Sequence, residues 1–134
     1  MHNKTIILVE NNLPMQNLYQ RELSRNFHVL VFSDVPGVLE AMEVLPISAV
    51  VLEVELPSGK GWSLLETIKQ TTNVPVILFS TLDVRKKALH ARADAFLLKP
   101  VPPTALNDTV VQICGLNPIS YYPKLKKEMK NGKR

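Results

Sequence analysis

The chain has 134 residues, 46% of them hydrophobic and 21% charged, which suffices for one domain around a single core and rules out wholesale disorder. One cysteine, Cys114, and three scattered histidines, His2, His28 and His90, exclude a disulfide scaffold and a Cys/His zinc site and point to a reducing, cytoplasmic compartment. The formal net charge of +4 is concentrated in residues 124–134, which hold six Lys/Arg and one acid, whereas residues 1–123 hold ten basic and eleven acidic residues.

No apolar run approaches the roughly 20 residues that cross a bilayer. The apolar stretch before Glu10 is too short for a signal peptide. Thr5–Val9 (TIILV) is too short for a helix and reads as a buried strand. Residues 14–25 follow as a helix, with Met15, Leu18, Tyr19 and Leu23 on its inner face and Gln16 elsewhere. Residues 27–32 (FHVLVF) form the second strand, and His28 suits a sheet edge. Ser33 and Asp34 are candidate N-caps for a second helix. Val35, Val38, Leu39, Met42 and Leu45 form its apolar stripe, and Pro46 ends it.

Residues 49–54 (AVVLEV) are the third strand, followed by a PSGKG loop. Residues 62–69 form the third helix, with Leu65 and Ile68 inward. Residues 74–79 (VPVILF) are the fourth strand, with Pro75 at its start, where a proline is tolerated. Residues 83–91 form a short helix, Ala95–Leu98 the fifth strand, and residues 104–114 the last helix, on Leu106, Val110 and Ile113, stopping at Gly115. Five strands alternating with five helices indicate an α/β, doubly wound parallel sheet covered on both faces.

In such sheets ligands bind beyond the carboxyl ends of the strands. Those ends carry Glu10 and Asn11, then Glu53, then Ser80 and Thr81, then Lys99 and Pro100. An acid with an amide, a second acid, a hydroxyl and an ammonium therefore meet at one edge.

The ordered set ILVEN, VVLEVELPSGKGW, VPVILFST and ADAFLLKP, across roughly residues 4–116, resembles the receiver domain of bacterial response regulators. The resemblance implies the strand order 2-1-3-4-5, a receiver-like domain over residues 1–117, and a basic tail or linker over 118–134. In that family an aspartate ending the third strand accepts a phosphoryl group; Glu53 occupies its position. The acidic pair that holds Mg²⁺ corresponds to Glu10 and Asn11. Ser80 matches the hydroxyl that contacts the phosphoryl group, Lys99 the lysine that pairs with it, and Phe96 the aromatic that reports activation. The family's cis peptide bond falls at Lys99–Pro100.

Two positions depart from the pattern: Glu53 replaces an aspartate, and Asn11 replaces a carboxylate. A glutamate moves the reacting oxygen by about 1.5 Å, and such a displacement costs roughly 10²-fold in a positioned reaction. Losing a charged ligand weakens Mg²⁺, which demands near-ideal octahedral oxygen geometry. The chain thus resembles a pseudo-receiver: a signalling module, not an enzyme, with no cofactor and with vestigial metal residues Glu10, Asn11 and Glu53. In place of a metal, Glu53 is expected to pair with Lys99. The alternative is Lys99 paired with Glu10 while Glu53 faces solvent.

The resemblance places a protein partner on the fourth helix, fifth strand and fifth helix, including Lys87, His90, Phe96, Thr104 and Asn107. A homodimer, a competent receiver phosphorylated at an atypical site, and nucleic-acid binding or acidic docking through the tail stay open. A flavodoxin-type FMN site would need a Ser/Thr/Gly-rich loop after the first strand, where this chain has ENNLPM. A hydrolase would need a base near Ser80, and no histidine lies near it in sequence. Trp62, His28 and His90 read as packing or surface residues.

Overall fold

The computed structural model describes residues 4–115. The basic segment 118–134 and the boundary that precedes it lie outside the described residues. In chain order the elements are β1 (Thr5–Val9), α1 (Leu13–Leu23), β2 (His28–Phe32), α2 (Val38–Val44), β3 (Ile47–Glu53), α3 (Gly61–Thr71), β4 (Val76–Ser80), α4 (Arg85–His90), β5 (Ala95–Leu98) and α5 (Pro103–Ile113). The strands form one parallel sheet in the order β2-β1-β3-β4-β5, as the resemblance implies.

Successive strand residues point to opposite faces. Ile6 and Leu8 of β1, Ala49 and Val51 of β3, and Ile77 and Phe79 of β4 pack with Tyr19 and Leu23 of α1 and Leu106 and Val110 of α5. Ile7, Val9, Val50, Leu52, Val76 and Leu78 face the other way, onto Val38, Leu64, Leu65, Ile68 and Ala88. Both faces are covered, so the central strands are apolar throughout rather than alternating. The edge strand β2 is only half-buried, and His28 is exposed.

Several expectations at the helices need correction. Neither Ser33 nor Asp34 caps α2, which starts from Gly37 at φ 91°. The Pro36-Gly37 turn intervenes; its positive φ favours glycine, and a Cβ on Gly37 would press on the Phe32 ring at 3.1 Å. Val35 sits in that turn, and Leu45 is exposed at the helix end. In α1 the buried face runs through Gln16, Tyr19 and Leu23, while Leu18 is exposed. In α5 it includes Asn107 and Val111, so Asn107 cannot belong to an exposed partner face. β4 starts at Val76, after Pro75, which has no N–H to give but whose carbonyl accepts from the Val50 N–H at 3.0 Å.

Candidate functional site

At the carboxyl edge of the sheet, Glu10 follows β1 and extends its ladder through its N–H to the Phe32 carbonyl at 3.0 Å. That bond and its burial among the neighbouring strand ends leave Glu10 only 1% exposed. Asn12 caps α1, its Oδ1 accepting from the Met15 N–H at 3.0 Å. The same turn points the Asn12 N–H at Glu10 Oε2, 2.9 Å away. Glu53 closes β3 and is 4% exposed; its Oε2 accepts from the Glu55 N–H at 2.7 Å. One backbone amide two residues downstream therefore holds the outer oxygen of each carboxylate.

The inner oxygens meet Lys99. Its Nζ donates to Glu10 Oε1 at 2.6 Å and to Glu53 Oε1 at 2.5 Å. It also lies 4.4 Å from the Phe79 ring centroid, where the ring face favours a cation. The two pairings that the sequence left as alternatives occur together, because an ammonium has three donors. Lys99 is aimed here by β5: its N–H donates to the Ser80 carbonyl at 2.8 Å, and the Lys99–Pro100 peptide is cis. Ser80 is fully buried, and its Oγ accepts from the Leu82 N–H at 3.2 Å. Asn11 is exposed, and Phe96 is half-buried on the α2–α3–α4 face.

Burial pulls the Lys99 pKa down, but hydrogen bonds and charge from Glu10 and Glu53 outweigh it and raise the value above that of an ordinary lysine. A raised lysine stabilises the fold fully below the unfolded value of about 10.4 and stops doing so as pH climbs through the folded value. Denaturant unfolding from neutral to strongly alkaline pH should therefore show wild-type stability falling further above the ordinary lysine range. Replacing Lys99 should make the alkaline loss smaller, leaving the part that comes from the buried Cys114 thiol and Tyr19 hydroxyl.

Sequence reasoning missed three supporting residues. Gln16 donates through Nε2 to the Glu10 carbonyl at 2.8 Å and to Ser33 Oγ at 3.2 Å, joining the loops after β1 and β2. Asp34 accepts from Ser58, through its N–H at 2.9 Å and its hydroxyl at 2.6 Å, tying the loop after β2 to the loop after β3. Tyr19 donates to the Val101 carbonyl at 3.0 Å and packs edge-on against Phe79, bracing the segment after Lys99. Cys114 takes no part: burial pushes its thiol pKa up to about 11, so it is not a thiolate at neutral pH.

Among the described residues, no helix is long and apolar enough to cross a membrane. Transcriptional regulatory protein QseB of Haemophilus influenzae is 34% identical over 100 residues, 71% of this chain and 45% of that protein. Response regulator RR06 of Streptococcus pneumoniae is 32% identical over 77 residues, 55% of this chain and 36% of that protein. The chain thus spans less than half the length of these curated relatives. Among solved structures, the BeF3-activated receiver domain of DrrB, a protein of Thermotoga maritima, superposes with a TM-score of 0.73 at 25% identity, covering 86% of this chain and 99% of that one. The receiver domain of the Francisella response regulator 1452 shares the fold, with a TM-score of 0.77 at 23% identity over 85% of this chain and 98% of that one. Residues 6–111 match the family model of the response regulator receiver domain, and with the sheet order and the strand-end residues in place, this chain belongs to that family and is a receiver domain of two-component signalling.

Proposed function

We propose that this domain is a pseudo-receiver, a protein-interaction module whose pocket is held by its own charges instead of by a metal ion and a phosphoryl group. The observation that carries this reading is the Lys99 ammonium bound to both Glu10 and Glu53. All four oxygens of the two carboxylates are engaged, two by Lys99 and two by backbone N–H groups.

The donor set does not fit Mg²⁺. That ion needs several oxygens in near-octahedral array. Here the inner oxygens face an ammonium, and the third position is the exposed amide Asn11. Among the described residues, no group of three or more His, Cys, Asp and Glu is arranged to hold a metal ion. The longer arm of Glu53 brings its Oε1 to Lys99 without any added charge. Phosphoryl transfer relies on positioning and on electrostatic neutralisation, and this pocket offers neither to an incoming phosphodonor. In this reading the partner face is α4–β5–α5, which includes the exposed Lys87, His90 and Thr104 and the half-buried Phe96.

The test is intact mass after incubation with Mg²⁺ and acetyl phosphate. Wild type is expected to gain no phosphoryl group, whereas the double variant Glu53→Asp/Asn11→Asp gains one. A phosphoryl adduct mapped to Glu53 in wild type would overturn the reading.

A further inference from the structure

Between α3 and α4 lies a groove of about 270 Å³ lined by Trp62, Glu66, Lys69, Lys87, His90 and Arg92. None of these residues belongs to the Lys99 pocket. Arg92 ends α4 at φ 65°, and among the described residues it is the one non-glycine with positive φ. Its N–H donates to the Leu89 carbonyl at 3.0 Å, a helix-ending turn in which glycine is the unstrained choice. The chain instead accepts a strained backbone and gains a guanidinium, whose Nη2 reaches the Lys69 carbonyl at 3.4 Å on the groove wall.

The charges of the groove are not balanced. Lys69 is matched by Asp94 at 2.7 Å. Lys87 lies over the Trp62 ring, 4.4 Å from its centroid. Among the described residues neither Lys87 nor Arg92 has a carboxylate partner. Two cations, one of them lying over the Trp62 ring, thus outweigh the single carboxylate Glu66 on this concave surface.

We propose that this groove binds an acidic peptide segment of a partner protein, with carboxylates on Arg92 and Lys87 and an apolar side chain against Trp62. Charge complementarity selects the acid, and Arg beside Trp is the composition on which protein interfaces concentrate their affinity. A nucleic-acid backbone fits less well: it calls for a groove of cations that tracks successive phosphates, whereas this one is short. The proposal shares Lys87 and His90 with the partner face proposed above and adds the chemistry of what binds there, and it does not depend on Glu53.

Trp62 is the chain's single tryptophan, so its emission reports on this groove. The protein would be titrated with a short Asp/Glu-rich peptide carrying one leucine, with the same peptide bearing Asn/Gln instead, and with a single-stranded oligonucleotide. A saturable emission change with the acidic peptide alone is expected. Arg92→Gly should weaken it by about tenfold or more, the equivalent of ~1.4 kcal/mol, without lowering the thermal transition, since glycine suits that backbone. Arg92→Gln provides a second variant with the same expected loss. No saturable change, equal response to the neutral peptide, tighter binding of the oligonucleotide, or unaltered binding by both Arg92 variants would overturn the proposal.

Discussion

Lys99→Met should destabilise the domain by about 3–5 kcal/mol at neutral pH, the range seen when one partner of a buried ion pair is removed. Glu10 and Glu53 are 1% and 4% exposed, and both direct an oxygen at the same ammonium. Methionine keeps the stem and its contact with Phe79 but leaves two buried carboxylates facing each other without a cation. Repulsion then adds to the lost attraction. Urea unfolding of wild type and variant at neutral pH checks this. A loss under about 1 kcal/mol, the size typical of a surface ion pair, would mean that Lys99 is not holding the pocket.

Gly61→Ala should also be costly, for a steric reason. A Cβ at Gly61 would stand 2.5 Å from the Val54 carbonyl oxygen and 2.9 Å from the Val54 Cα. Those atoms are backbone, so no side-chain rotation relieves the contact. The start of α3 must move away from the chain that directly follows Glu53. Overpacking of this kind costs typically 1–3 kcal/mol, and sometimes more. Gly59 is the internal comparison: it has φ 74° but nothing within 4 Å of an added Cβ, so Gly59→Ala bears only the backbone strain of roughly 1–2 kcal/mol. Gly61→Ala should unfold at lower urea than Gly59→Ala and should perturb the amide signal of Glu55, which holds the Glu53 carboxylate. Equal or smaller loss at position 61 would contradict the close approach of α3 to Val54.

The sheet was legible because a strand buried on both faces writes itself as an unbroken apolar run, as in TIILV and VILF. The pocket was legible because each of its side chains stands at the end of such a run: Glu10, Glu53, Ser80 and Lys99 converge as the strand ends imply. Polarity misled at the helices. Gln16 and Asn107 look like surface residues, yet each sits on the buried face of its helix. The spacing of Gln16, Tyr19 and Leu23 was the available sign that the inner face of α1 is rotated toward Gln16. Asp34 looks like a cap because it precedes an apolar stripe, but Pro36 and Gly37 make a turn first and free its carboxylate for Ser58. Hydrogen bonds pull the Asp34 carboxyl below its usual range despite some desolvation. Nothing local in the sequence indicates that Arg92 adopts a left-handed backbone.

Thermal unfolding with and without Mg²⁺, for wild type beside Glu53→Asp/Asn11→Asp, asks directly whether Lys99 has taken the place of the metal. A ligand that binds only the folded state raises stability by RT ln(1 + [L]/Kd), about 2.7 kcal/mol at a hundredfold excess over Kd. The expected result is a wild-type midpoint that does not respond to Mg²⁺ beside a double variant whose midpoint rises saturably. A saturable rise in wild type, abolished by Glu53→Gln, would contradict a pocket closed by its own lysine.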